Sequence, residues 1–390
     1  MRKFAWLTTG LMLVLLGISV FLSVNVAPVS AIGEVTPTPV PVEPEPEDDV
    51  DVEDLIEDAI EDLQNGEFRS ALAKMDSAIE ADPDNALAFF IRGFSNFQLG
   101  FTDDSLDDFS SAIDIEPWQT DYYLFRGDVY RADGSLTDAL LDYDIAIDIN
   151  PFSLDAFLRR SIANYELGDS TAGDVDDLIA RALQDLSAGD TTSALAFLDE
   201  AINTGDTLRS IGDAYYIRAI ANDSLGDDDA VLDDYNSALE INSDLHIVHL
   251  ARGIYYREND DIVAAGEDFF QRMTLHRGET VEQDVTIGDE LEVEMTYRRV
   301  VELSFDGEEG QVITISASDQ ADTIVDPLIT LLGPDGTPIA GDDDFGTDLN
   351  SLIEDFELPE DGTYTLLVSH AEGGAQIGFN GIIDVEIEEE

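Results

Sequence analysis

Residues 86–117, ALAFFIRGFSNFQLGFTDDSLDDFSSAIDIEP, and residues 120–151, TDYYLFRGDVYRADGSLTDALLDYDIAIDINP, repeat one another at a step of 34. Arg92 meets Arg126, Gly93 meets Gly127, Gly100 meets Gly134, Asp108 meets Asp142, Ala112 meets Ala146 and Pro117 meets Pro151. The same step reaches outward to Gly66 and Gly168, to Pro83 and Ala78, and to Met75 as the counterpart of Phe109 and Tyr143. Apolar residues at helical spacing flank each glycine, and the proline stops the second stretch because the residue before it is pushed out of helical space. Each unit is therefore a helix, a glycine turn and a second helix, too small to bury its apolar faces without a neighbour.

The agreement of several positions at once resembles the tetratricopeptide-repeat family over residues 52–273. A first array fills 52–168, its fourth unit starting at Leu154 and losing the pattern after Gly168. At Val175, VDDLIARALQDLSAGDTTSALAFLDEAI copies VEDLIEDAIEDLQNGEFRSALAKMDSAI from Val52 at an offset that is not a multiple of 34. This predicts a register break at Asp169–Asp174 and a second array over 174–273. The resemblance implies an all-α solenoid of about fourteen helices in two runs of seven.

Gly93 and Gly127 leave room where the two helices of a unit approach. Ala78, Ala112, Ala146, Ala201 and Ala238 do the same from the second helix, and Tyr130, Tyr143, Phe109, Tyr235 and Phe269 fill the space. Arg92, Arg126, Arg160, Arg218 and Arg252 form a ladder of basic residues in an acidic chain, which invites a carboxylate-binding reading. Sixteen residues after Arg92, Arg126, Arg218 and Arg252 stand Asp108, Asp142, Asp234 and Asp268, and the first unit holds the pair reversed, as Asp58 and Lys74. A reversed pair fits an ion pair inside each hairpin, so the ladder is assigned to structure. Arg181 departs from the pattern, facing Phe197.

In the resembled family the first helix of each unit lines a concave face. The resemblance places Phe90, Ile91, Phe94 and Phe97, then Leu124, Phe125, Asp128 and Arg131, then Leu158, Ile162 and Tyr165 there, as an apolar groove with an acidic rim for a peptide or protein partner. Packing between repeats, or against the chain's own linker, is the competing use of these residues. The lysine and asparagine clamp with which some members hold a C-terminal carboxylate is absent.

After Met273 the period becomes that of strands, through 291–297, 300–306, 311–318, 327–333, 352–358, 363–369 and 377–387, with turn signals at Gly307–Gly310, Pro334-Asp335-Gly336 and Pro359–Gly362. Residues 276–390, through Asp326, Pro334-Asp335-Gly336, Asp342-Asp343-Asp344 and Gly362-Thr363-Tyr364, resemble the bacterial pre-peptidase C-terminal domain. That implies an all-β jelly-roll-like sandwich. Asp342, Asp343, Asp344, Asp348 and Asn350 gather hard oxygen donors, which suits Ca²⁺, while Gly346 breaks the EF-hand spacing; a structural turn is the other reading. The chain has four histidines, His246, His249, His276 and His370, and neither an HExxH nor a GxSxG motif. No nucleophile and base, and no metal cluster, points to an enzyme, and the His246/His249 pair is read as surface.

The 390 residues carry 86 acids against 18 bases, a net charge of −68, and no cysteine. Such a surface repels phosphate backbones, so no nucleic acid is expected, and disulfides and thiolate chemistry are excluded. Met1-Arg2-Lys3, an apolar run to Val26 and Val29-Ser30-Ala31 form a signal peptide over 1–31, with an uncleaved membrane anchor as the alternative. Residues 32–51 are a Pro/Glu-rich linker. The expectation is an exported, non-enzymatic scaffold, extracellular or at the cell envelope, holding a protein or peptide. The alternative makes the sandwich the binding module for Ca²⁺, polysaccharide or matrix, and the helices its spacer.

Overall fold

The computed structural model describes residues 51–204, 209–319, 325–343, 350–371 and 381–389. The signal-peptide and linker segments lie outside these residues. The described residues form two compact units, divided between Pro117 and Trp118.

The first unit contains two helical hairpins, α1 (Val52–Asn65) with α2 (Phe68–Ala81) and α3 (Ala86–Leu99) with α4 (Thr102–Ile115). Asp51 caps α1 by accepting from the Glu53 and Asp54 amides, which satisfies amides that have no partner within the helix. The turn glycines adopt left-handed backbone, Gly66 at φ 74° and Gly100 at φ 81°, where a Cβ is strained. There the amides of Glu67 and Phe101 return to the Asp62 and Asn96 carbonyls at 2.8 and 2.9 Å, closing each helix with a Schellman turn.

The second unit opens with α5 (Thr120–Asp133), α6 (Leu136–Ile149), α7 (Leu154–Leu167), α8 (Ser170–Ser187), α9 (Thr191–Thr204), α10 (Arg209–Asp223), α11 (Asp228–Ile241), α12 (His246–Glu258) and α13 (Ile262–Leu275). The same turn recurs at Gly134, Gly168 and Gly226, and at Asp260, which holds φ 63° without being glycine. Gly127 lies so close to Tyr143 that a Cβ there would come within 2.6 Å of the ring, which accounts for the small residue at that step.

Thirteen helices occur among the described residues, not fourteen, because the predicted break at Asp169–Asp174 is absent. The α8 helix runs unbroken through it for 18 residues. Its start, Ser170, keeps the 34-residue step from Leu136, while its last turn follows the second register, in which Val175 copies Val52. It packs as second helix against α7 and as first helix against α9. Val175, Ile179, Ala180, Ala182 and Leu183 are buried, as a helix shared between two hairpins requires. The register thus changes by overlapping two units on one helix.

Nine strands follow: β1 (Thr280–Asp284), β2 (Glu290–Met295), β3 (Val300–Gly307), β4 (Val312–Asp319), β5 (Pro327–Leu332), β6 (Pro338–Asp342), β7 (Asn350–Glu357), β8 (Gly362–His370) and β9 (Gly381–Glu389). One sheet has the order β1-β3-β8-β5-β6 and the other β2-β9-β4-β7. With β1 set aside, the remaining eight strands have the order of a jelly roll, first beside last in one sheet and second beside seventh in the other. The core lies between them, with Leu303, Ile313, Ile315, Ile329, Leu331, Tyr364, Leu366 and Val385. Strand β1 pairs in parallel with β3 and is exposed along its length, so it lacks the alternation by which the other strands are read. Strand β6 is short and contains Pro338 and Gly341.

The sandwich is not a separate body from residue 276. Leu250, Ala265, Phe269 and Met273 of α12 and α13 share one apolar cluster with Val300, Leu328, Leu332, Leu367 and Ala371. Gly266 meets Ala340 and Gly341 of β6 backbone to backbone. Tyr297 packs against His276 at 5.6 Å and against Trp118, before α5, at 5.7 Å between ring centroids, so the sandwich touches both ends of this unit's helical run.

Candidate functional site

The arginine ladder is structural and does more than hold single hairpins. Arg92 forks onto Asp108 at 2.6 Å and reaches Asp76, on the preceding hairpin, at 2.9 Å. In the second unit Arg126 meets Asp142 at 2.7 Å. Arg218 meets Asp234 at 2.5 Å and Asp199 at 2.6 Å. Arg252 meets Asp268 at 2.7 Å and Asn236 at 2.6 Å. Each planar fork holds its own second helix, and Arg92, Arg218 and Arg252 also hold the second helix before it. Lys74 lies 3.7 Å from Asp58 but 2.7 Å from Asp62, so the reversed pair forms one turn later than the sequence spacing predicts. Arg181 lies over the Phe197 ring, 5.9 Å from its centroid.

Arg160 is the exception in burial, with 2% of its surface exposed. It meets Asp176 at 2.7 Å, Asp144 at 2.7 Å and Asp213 of α10 at 2.8 Å. The fourth unit therefore keeps the pattern through Asp176, sixteen residues on. Burial alone would lower the Arg160 pKa, but Asp176, Asp213 and Asp144 raise it well above the ordinary value. Beside this group, burial, with Asp213 and Asp144 opposing the pull of Arg209, pushes the Asp148 carboxyl up to about 6. The unfolded carboxyl titrates near ~3.9, so its folded-state stabilisation is complete below that pH and is lost as pH rises through about 6. Asp148→Asn, which cannot ionise, is expected to exceed wild type in urea midpoint at pH 7 and to converge with it near pH 4. Parallel curves for the two proteins would refute the shift.

The eleven predicted groove residues divide by burial. In the first unit Phe90, Ile91 and Phe94 are buried, Phe90 against Phe109 and Phe94 against Phe68, and Phe97 is half-buried. In the second unit Leu124, Phe125 and Asp128 are also buried. Phe125 lies beneath the Arg159 guanidinium, while Asp128 pairs with Arg159 and accepts from the Tyr143 hydroxyl at 2.9 Å. These residues hold helices together, the competing use foreseen from sequence. Arg131 is bound to Glu166 at 2.9 Å.

Leu158, Ile162 and Tyr165 behave differently, being 40%, 45% and 41% exposed. Leu154, missed from sequence, joins them at 37%, so residues 154, 158, 162 and 165 form one apolar stripe along α7. At the register of Leu158 the other hairpins bury Phe90, Leu124, Tyr216 and Leu250, and at that of Ile162 they bury Phe94 and Asp128. The Tyr165 ring rests on Gly173, where a Cβ would come within 2.7 Å. Its hydroxyl donates to Asp174 at 2.7 Å and Asp177 at 3.2 Å, giving the stripe one polar, acidic end.

The aspartate loop offers less. Asp342 is fully buried, pairs with Arg257 of α12 and accepts from the Leu352 amide at 2.6 Å. Its charge is met by a guanidinium, which does not fit the proposed Ca²⁺ role. Asp343 is buried, Asn350 accepts from the Asp319 amide at 3.3 Å, and Asp344 and Asp348 lie outside the described residues. Among the described residues no cluster of three or more metal-ligating side chains occurs. His246 and His249 are buried, not surface. His249 Nδ1 lies 2.7 Å from Asp268 and its Nε2 3.1 Å from the Ser243 carbonyl, while His246 packs against His276 with the rings tilted by 42° and 4.4 Å between centroids. Among the described residues no helix is long and apolar enough to cross a membrane.

Residues 57–118 match the family model described as tetratricopeptide repeat. No curated protein matches the chain. Among solved structures it is similar to the first TPR of Spaghetti (RPAP3) bound to an HSP90 peptide, at 21% identity over 30% of this chain and 93% of that one, with a TM-score of 0.29. A tetratricopeptide repeat protein from Parabacteroides merdae is 17% identical over 58% of this chain and 94% of that one, with a TM-score of 0.31. The pre-peptidase C-terminal domain of collagenase from Bacillus anthracis is 12% identical over 29% of this chain and 99% of that one, with a TM-score of 0.24.

Proposed function

We propose that this tetratricopeptide-like protein is a non-enzymatic, exported scaffold that docks a protein or peptide on the exposed face of α7. The observation that carries the reading is the stripe Leu154, Leu158, Ile162 and Tyr165, open on one helix while the other hairpins bury the residues at the Leu158 register. Apolar side chains in a continuous helical row, bordered by carboxylates, suit side-chain anchors from a partner. The apolar N-terminal run after Arg2-Lys3 and the Val29-Ser30-Ala31 site support export.

A photo-crosslinking residue at position 158 or 162, in the cell that makes the protein, is expected to give discrete protein adducts. The same residue at Leu225, 60% exposed on another part of the chain, should not. Leu158→Ser with Ile162→Ser should remove adducts formed from position 154 while changing stability by no more than about 0.5 kcal/mol per site, as exposed side chains do. Equal adducts at 158 and 225, or none at any α7 position, would overturn the docking reading. The same mass spectra read the N-terminus: a chain starting at Ile32 supports export with cleavage, and one starting at Met1 counts against it.

A further inference from the structure

We infer that the partner of α7 is a cationic amphipathic helix, an inference that rests on α7 being a docking face. The anchors recur at four-, four- and three-residue intervals, from Leu154 to Tyr165, and span roughly 16 Å at ~1.5 Å per residue. A row of that length and straightness matches about three turns of a second helix presenting its own apolar stripe. An extended peptide gains most of its affinity from backbone hydrogen bonds at a sheet edge, and α7, its own amides bonded within the helix, provides none.

Charge decides the other face of the partner. Beside the stripe stand Asp155 and Glu166, each already paired with an arginine, and Asp174 and Asp177 at its Tyr165 end. The nearby cations are engaged: Arg131 by Glu166 at 2.9 Å, and Arg159 by Asp128 and by Asp155, the latter at 3.7 Å. Asp174 is exposed, and Asp177 is half-buried. A partner seated on the stripe brings its flanks against these carboxylates, so lysine or arginine there is attracted and glutamate repelled. The same argument disfavours two other occupants. A second copy presents the same acidic border on a chain of net charge −68, and the chain's own segment EPEPEDDVD at 43–51 is acidic and proline-rich.

The test uses the full-length protein and two fluorescent helical peptides of about 14 residues, each with leucines in one stripe. One carries lysine and arginine on its other face, and the other glutamate. Fluorescence anisotropy is expected to show the basic peptide binding at least about tenfold more tightly than the acidic one, and weakening several-fold between low salt and about 0.3 M. Leu158→Ser/Ile162→Ser should weaken the basic peptide by about tenfold or more, through the loss of two apolar anchors. Equal binding of both peptides, abolished by the double substitution, would leave the docking face standing and sink the charge inference. Binding of the basic peptide that ignores the substitutions is diffuse electrostatics and overturns the inference. Failure of both peptides counts against α7 as a docking face.

Discussion

Arg160→Met is expected to destabilise the second unit by about 3–5 kcal/mol, the cost of removing one partner from a buried charge group. Arg160 is the sole cation within 3 Å of Asp176 and Asp213 among the ion pairs described, and it also holds Asp144. It receives further support from Ser210, whose hydroxyl oxygen lies 3.1 Å from Nη2. Methionine preserves much of the stem's packing against Phe157, over whose ring the guanidinium now sits. What it cannot supply is charge, so the buried Asp176 of α8 and Asp213 of α10 and the half-buried Asp144 of α6 are left facing one another. Arg126→Met should cost less, because Arg126 is 18% exposed along its side chain where Arg160 is 3% exposed. The sign of the pH dependence follows from the same cause. Without the cation, the burial that already pushes the Asp176 carboxyl up loses its main opposition, so protonation there favours the folded state and the deficit of Arg160→Met should shrink between pH 7 and pH 5. Urea unfolding at both pH values reads this, since urea leaves the charges unscreened. A loss no greater than that of Arg126→Met, or one that grows on acidification, would show that the α8 junction does not depend on this group.

The features legible in the sequence are those fixed within one hairpin. A Schellman turn needs a left-handed residue at one position, so Gly66, Gly100, Gly134 and Gly168 mark it directly, and the arginine and its aspartate lie sixteen residues apart on facing helices. Contacts made between hairpins are less visible. The reach of Arg92 to Asp76 and of Arg160 to Asp144 spans sixteen residues backwards, and the same spacing could have been read in that direction. Burial of Phe90, Leu124 and Phe125 depends on what neighbouring helices place over them. For that reason the family's groove positions mixed structural side chains with exposed ones. The α7 stripe was partly legible through Leu158, Ile162 and Tyr165; what the sequence alone lacked was that Phe90, Leu124, Tyr216 and Leu250, at the Leu158 register of other hairpins, are buried. The α8 helix was misread because two registers overlap on it, and an overlap in space looks like a break on a fixed 34-residue ruler. Strand β1 shows no alternation because both its faces meet solvent, and β6 is masked by Pro338 and Gly341.

Gly266→Ala is the second large effect, and its sign separates two physical arguments. Gly266 lies in the first half of α13, where alanine should stabilise by ~1 kcal/mol if helix propensity governed the site. The structure predicts the reverse. A Cβ at 266 falls 2.6 Å from the Ala340 carbonyl carbon and 2.7 Å from its oxygen. Those atoms belong to β6, which is held by pairing with β5, while α13 is fixed by Ala265, Phe269 and Met273 in the shared apolar cluster. With backbone on both sides, the strain must be relieved by separating helix from sheet, at a cost toward the upper end of the ~1–3 kcal/mol typical of overpacking or beyond it. Gly266→Ala should therefore lower the unfolding midpoint, and hydrogen exchange should accelerate first in α13 and β6, with α7 and α8 unchanged. A stabilised Gly266→Ala protein would mean that the helix and sheet do not touch here. The same contact governs how the two halves can be used in binding studies. A cut between Leu275 and the first strand divides the cluster of Leu250, Phe269 and Met273 from Val300, Leu328 and Leu367 and exposes apolar surface on both pieces. Adhesion of either fragment to a partner would then report the cut surface, so assigning binding to helices or sandwich requires point substitutions in the intact chain.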